Sequence, residues 1–137
     1  MKNTIEISNL DYTRLNGLIN NLKSSDKQKM DELTFLESEI ARAKKVGPKR
    51  IKPQFVTMNS TVEVFDFDLK RMMKVKLVYP KEANFREGKI SVLSPFGSAL
   101  IGYKVGSIIS FKVPKGIKKM RIDKIIYQPE ASGEFSV

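Results

Sequence analysis

Cysteine, histidine and tryptophan are all absent from this chain of 137 residues. Without cysteine there is no disulfide and no thiolate metal site, and without histidine the commonest general base and the commonest zinc ligand are both gone. Metal-hydrolase and triad chemistries therefore lose their usual residues, and the expectation is of no catalytic residue, no metal, no cofactor and no small-molecule substrate. Long apolar runs are missing too. Nowhere do about 18 apolar residues stand together, the length a membrane helix needs. The first residues, Met1 to Lys23, mix Asn, Asp, Glu and Lys among the apolar positions and so contain no signal-peptide core. A soluble, cytoplasmic protein without a membrane partner is expected.

Acidic residues are the minority charge: Asp plus Glu number 15 against 25 Lys plus Arg, for a net charge of +10. Such a balance favours an anionic partner, whether nucleic acid, an acidic protein surface or anionic lipid, and does not choose among them. The length suits one modest core, or a compact domain of about 80 residues with a smaller appendage.

Periodicity changes along the chain. Leu15, Leu18, Ile19 and Leu22 recur at helical spacing behind the candidate caps Asn9 and Asp11, predicting a helix over 10–23. After a polar break, Met30, Leu33, Glu37, Ile40 and Lys44 alternate by three and four, with Leu36 and Ala43 widening the stripe, which predicts a second helix over 26–45. So short a connection implies an antiparallel helical hairpin over 1–46. Residues 47–54 read as a basic linker, because Pro48 and Pro53 disfavour helix at and just before their own positions. From 55 to 137 the period is two. Strands are predicted around Thr61–Val64, Met73–Tyr79, Lys89–Leu93, Ile109–Val113 and Met120–Tyr127, with turns at Asp66–Asp68, Lys81–Gly88 and Pro114–Gly116. One short helix must bury itself against this sheet, giving an α+β fold.

That short helix is the most specific local signal. In Val92-Leu93-Ser94-Pro95-Phe96-Gly97-Ser98-Ala99-Leu100-Ile101-Gly102, Ser94 is placed to cap, Pro95 suits the first helical position, and Gly102 supplies a left-handed stop. Ser94-Pro95-Phe96-Gly97-Ser98-Ala99-Leu100-Ile101-Gly102, followed by Lys104-Val105-Gly106, resembles the carboxy-terminal domain of the GreA/GreB bacterial transcription elongation factors. The ending Tyr127-Gln128-Pro129-Glu130-Ala131-Ser132-Gly133-Glu134-Phe135 resembles their Rnk branch, whose name denotes regulators of nucleoside diphosphate kinase. The resemblance implies an FKBP-like domain, a curved antiparallel sheet around a short helix, preceded by an antiparallel coiled coil. It also implies docking on bacterial RNA polymerase through Leu93, Ser94, Pro95 and Phe96. Many members have Asp-Ser-Pro here, whereas this chain has Leu93-Ser94-Pro95. A helix start without a docking role is the plain alternative.

In cleavage-stimulating Gre factors, the resemblance implies that a long coiled coil enters the polymerase's secondary channel and offers paired carboxylates to a catalytic magnesium, a hard cation that takes oxygen ligands. The expected tip here centres on Ser24, Ser25 and Asp26, and over Lys23–Lys29 it carries one carboxylate among three lysines. A first helix of about 14 residues reaches only about 21 Å. Asp31 and Glu32 are adjacent, so their side chains point about 100° apart. The expectation is a polymerase binder without transcript cleavage.

The basic side chains have two readings. Lys44, Lys45, Lys49, Arg50 and Lys52 in the connector, with further lysines along the strands, are solvated faces or a salt-dependent, sequence-tolerant nucleic-acid surface. The latter requires cations on one face with aromatics beside them. Prolyl isomerisation, which an FKBP-like fold brings to mind, is disfavoured by the missing Trp and by the demand of a small core for Phe and Tyr. Regulation of nucleoside diphosphate kinase and simple nucleic-acid binding remain the rival readings to polymerase docking.

Overall fold

The computed structural model describes residues 5–22 and 27–134, with side chains from Met30 onward in the second segment. A strand β1 (Glu6–Ser8) leads into α1 (Asn9–Asn21); α2 (Lys27–Arg42) returns and is followed by β2 (Lys44–Val46). The cap of α1 is Ser8, in extended conformation, whose hydroxyl accepts the Asp11 N–H at 3.0 Å. Asn9 and Asp11, expected as caps, are first-turn residues instead, because Ser8 already holds the extended geometry in front of them. Asp11, Leu15 and Ile19 then bury one face at spacings of four.

On α2 the buried stripe is Leu33, Leu36 and Ile40, joined by Glu39 and continued by Ala43 just beyond the helix. Glu37, placed on the stripe from sequence, is exposed. It stands one residue, about 100° of arc, from Leu36, which is fully buried and sets the direction of the face. Burying an aliphatic chain of this size contributes about 1.5–3 kcal/mol relative to exposure.

β1 and β2 pair in parallel, Glu6 opposite Lys44 and Ser8 opposite Val46, so the helical hairpin is itself the crossover between them. The periodicity of the sequence does not announce this small sheet, each strand being only three residues long. It anchors both ends of the hairpin: the Lys44 N–H donates to the Ile5 carbonyl at 2.9 Å and the Glu6 N–H to the Gly102 carbonyl at 3.0 Å.

The second sheet has five strands in the order β5-β4-β3-β7-β6: β3 (Thr61–Asp66), β4 (Arg71–Val78), β5 (Lys89–Ser91), β6 (Ile108–Val113) and β7 (Gly116–Tyr127). Its pairs are antiparallel except β4–β5, which is parallel because residues 79–88 carry the chain back through two short 3-10 turns. Alternation is visible in β3, where Val62, Val64 and Asp66 are buried between half-buried neighbours. The helix α3 (Pro95–Leu100) covers the inner face. Buried side chains of α1, α2, the strands and α3 form one continuous cluster, so the hairpin and the sheet share a core.

Candidate functional site

Ser94 organises the corner between β5 and α3. Its hydroxyl accepts the Gly97 N–H at 3.0 Å and donates to the Ser91 carbonyl at 2.7 Å, while its carbonyl accepts the Ser98 N–H at 2.9 Å. Ser98 in turn donates its hydroxyl to the Val92 carbonyl at 2.7 Å. These bonds satisfy groups that a helix start leaves unpaired. Pro95 takes the first helical position, and Gly102, at φ +82, follows the helix in the left-handed region. Gly97 is required by proximity: a Cβ there would lie 2.0 Å from the Ser91 carbonyl oxygen.

The four candidate docking residues separate by exposure. Pro95 is exposed, Leu93 and Ser94 are half-buried, and Phe96 is buried. The buried Phe96 ring stacks on the half-buried Phe111 at 4.9 Å and 11°, so it supports the corner from within. Of the four, Leu93, Ser94 and Pro95 are at least partly open to solvent.

A groove of about 360 Å³ opens beside that corner. Leu93 and Pro95 line one side, Phe111 and Ile117 of the β6–β7 hairpin another, and Asp31, Glu32 and Phe35 of α2 the third. The N-terminal half of α2 therefore runs along the sheet domain and does not stand clear of it. Phe35 is 46% exposed and Ile117 60% exposed, so the groove has an apolar rim open to solvent.

A polar triad links α2 to the segment after α3. Arg42 donates from Nε to Glu39 Oε2 at 2.7 Å and from Nη2 to the Tyr103 hydroxyl at 2.7 Å, and that hydroxyl donates to Glu39 Oε1 at 2.9 Å. Burial raises the Tyr103 pKa, and its bond to the Glu39 carboxylate adds to the shift. The bonds to Glu39 hold Arg42 still more firmly protonated. Between α1 and the segment before β3, the Met58 N–H donates to Asp11 Oδ2 at 3.1 Å. Burial pushes the Asp11 carboxyl up to about 7; the Met58 bond opposes this, Glu130 adds to it, and Arg14 and Ser8 lower it.

The connector is held by the tail. Gln128 donates from Nε2 to the carbonyls of Lys52 at 2.8 Å and Phe55 at 2.7 Å, and Glu130 Oε1 accepts the Thr57 hydroxyl at 2.8 Å. The Tyr-Gln-Pro-Glu run thus has a structural task. Glu134 turns back, its N–H donating to the Pro129 carbonyl at 2.8 Å and its carboxylate accepting the Tyr127 hydroxyl; Phe135 lies outside the described residues.

The connector cations stand in different local settings. Lys44 is exposed on β2, Lys45 donates to the Ala41 carbonyl at 2.6 Å and lies over the Tyr12 ring, and Lys49, Arg50 and Lys52 are exposed in the turns that follow. The expected tip residues Ser24, Ser25 and Asp26 lie outside the described residues.

The comparisons with known proteins agree with this architecture. The family model "Transcription elongation factor, GreA/GreB, C-term" matches residues 51–127, and the model "Rnk N-terminus" matches residues 3–46. The chain belongs to the GreA/GreB family. Its place in the Rnk-like branch follows from the second match and from similarity to the regulator of nucleoside diphosphate kinase of Escherichia coli (strain K12). The two are 31% identical over 133 residues, 96% of each chain. The transcription elongation factor GreA of Pelobacter propionicus is 40% identical over 93 residues, 68% of this chain and 59% of that factor. This Rnk-like chain therefore spans about three fifths of the length of that GreA relative. Among solved structures, a prokaryotic transcription elongation factor GreA/GreB from Nitrosomonas europaea superposes with a TM-score of 0.74. Its sequence identity is 38%, and the match covers 92% of this chain and 100% of that one.

Sequence reasoning missed the Glu39–Arg42–Tyr103 triad, Phe35 and the Asp11–Met58 bond. The i,i+3 spacing of Glu39 and Arg42 was a visible signal for an ion pair. Their common partner, Tyr103, is distant in sequence and was not.

Proposed function

We propose that this Rnk-like protein docks on bacterial RNA polymerase near the secondary-channel entrance through Leu93, Ser94 and Pro95, and modulates elongation by occupancy. It competes there with longer Gre-type factors and does not stimulate transcript cleavage. The protein is not an enzyme in this reading, works in the cytoplasm and needs no cofactor. The observation that carries the reading is the corner itself: a serine-capped, proline-started helix end, rigidly bonded and exposed at Pro95, bordering an open apolar groove. Rigid scaffolds presenting exposed loops are where binding contacts are commonly made.

The lack of cleavage is supported by the hairpin. An α1 of 13 residues is only about 20 Å long. Over Lys23–Lys29 the connecting sequence has one carboxylate, too few for the paired-acid arrangement. Pull-down with core polymerase at moderate salt, then competition with a cleavage factor, tests the docking. Rapid protein-dependent shortening of the transcript in a stalled complex contradicts the absence of cleavage.

A second reading has one specific support, the similarity over nearly the whole chain to a protein named as a regulator of nucleoside diphosphate kinase. A change in kinase turnover on mixing the purified proteins, with no binding to polymerase, selects it.

A further inference from the structure

We infer that the outer face of the five-stranded sheet, turned away from α3, is a stacking platform for single-stranded nucleic acid. The β3 residue Phe65 is the centre of one cross-strand row. It lies opposite Met72 of β4 on one side and Arg121 of β7 on the other, and Arg121 lies opposite Ile108 of β6. Four adjacent strands thus contribute a line of apolar or planar side chains. Phe67 extends the line beyond the end of β3, its ring meeting Phe65 edge to face at 5.5 Å.

Exposure separates this row from the core. Met72 is 44% and Ile108 55% exposed, and Phe67 is exposed as well, whereas the alternate residues Val64, Ile109 and Met120 are buried against α3 and its neighbours. Arg121 lies over both rings, 5.2 Å from the Phe65 centroid and 5.7 Å from that of Phe67, and its guanidinium is oriented by a two-point pairing with Asp123. A base can stack on a guanidinium plane or on an aromatic ring, and both are held here in fixed positions.

Charge favours a polyanion as the occupant. On β4, Lys74 and Lys76 follow Met72 at every second residue; on β7, Lys119 stands two residues before Arg121, and Lys124 lies opposite Glu63. Glu63 and Asp123 are the acids of the same face, and Asp123 is already paired with Arg121. The lysines flank the apolar row, an arrangement that lets phosphates run beside stacked bases. The register offers no pattern of base-edge readers, so binding is expected to be tolerant of sequence. None of these face residues lines the groove at Leu93 and Pro95, although Lys119 lies opposite the groove residue Ser110, so the inference does not depend on the polymerase reading.

The absence of tryptophan gives a direct test. Phe67→Trp places a single indole on the platform; titration with oligo-uridylate or oligo-thymidylate is expected to quench its fluorescence. In anisotropy measurements with the same labelled strands, Phe67→Ala is expected to weaken binding about 5- to 100-fold. Lys74→Glu with Lys119→Glu is expected to weaken it and flatten its salt dependence. Phe67→Tyr should retain binding, and unchanged melting of each variant separates stacking from misfolding. An unquenched indole at saturating strand overturns the platform. So does equal affinity of Phe67→Ala and the natural chain, or equal affinity for single strands, duplex and a polyanion without bases such as polyphosphate.

Discussion

Tyr103, in the segment after α3, donates its hydroxyl hydrogen to Glu39 on α2 at 2.9 Å, across a sequence separation of 64 residues. Arg42 completes the contact by bonding both partners. This contact ties the direction of the helical hairpin to the domain that carries the Leu93–Pro95 corner. Tyr103→Phe removes the hydroxyl and leaves the ring, so it should destabilise the protein by about 1–2 kcal/mol. Urea unfolding measures the loss, and amide exchange in α2 should accelerate more than exchange in β3. Uniform acceleration contradicts a local fastening role.

Asp11 makes stability pH-dependent in a defined direction. Its pKa is raised from 3.8 to about 7, chiefly by burial, so the folded chain binds this proton more tightly than the unfolded chain. The stabilising contribution is complete below about pH 4 and is lost as pH rises through about 7. Asp11→Asn should therefore come closest to the natural protein near pH 4 and exceed its stability at pH 8 by roughly 2–4 kcal/mol. Urea midpoints at the two pH values check this, and parallel pH dependence of the two proteins contradicts it.

Asp66 behaves in the opposite sense. Burial acts to raise its pKa, but the Lys118 ammonium at 2.7 Å and the N–H groups of Leu69 at 3.1 Å and Asp68 at 2.9 Å outweigh it and hold the carboxyl below its ordinary range. The favourable contribution is present above the unfolded pKa and is lost as pH falls through the lower folded value. Asp66→Ala leaves those donors without their acceptor and should cost about 2–4 kcal/mol. Thermal denaturation at pH 7 gives the figure; a loss within experimental error contradicts it.

Gly97 is the tightest backbone contact of the corner, with only 2.0 Å between the position a Cβ would take and the Ser91 carbonyl oxygen. Gly97→Ala must push α3 from β5 and should destabilise by at least about 1–3 kcal/mol. Because Ser94 bonds both sides of that junction, polymerase affinity should fall with it. A variant of natural stability would show that the junction yields without cost.

Much of the fold was legible because local chemistry and tertiary packing agree. Ser94, Pro95 and Gly102 wrote the beginning and end of α3, and the period-two stretches became strands. Elsewhere a single neighbour decided. Ser8 displaced Asn9 and Asp11 as the cap, and Leu36 with Glu39 turned α2 so that Glu37 faces solvent. β1 and β2 escaped notice because three residues give too little pattern to set a period. Of the candidate docking residues, the motif located Leu93, Ser94 and Pro95 at an accessible corner, but apolar character alone did not reveal that Phe96 is committed to stacking on Phe111. The groove was less legible still, since α2, α3 and the β6–β7 hairpin meet there only after folding.

Docking through the corner is tested most directly at Pro95, which is exposed on the groove. Equilibrium binding to core RNA polymerase at moderate salt should be at least about tenfold weaker for Pro95→Arg, matching the loss of about 1.4 kcal/mol or more of contact energy, with melting essentially unchanged. The natural protein should bind and be displaced by a cleavage factor. No binding of the natural protein, or equal binding by the arginine variant, contradicts the proposed docking.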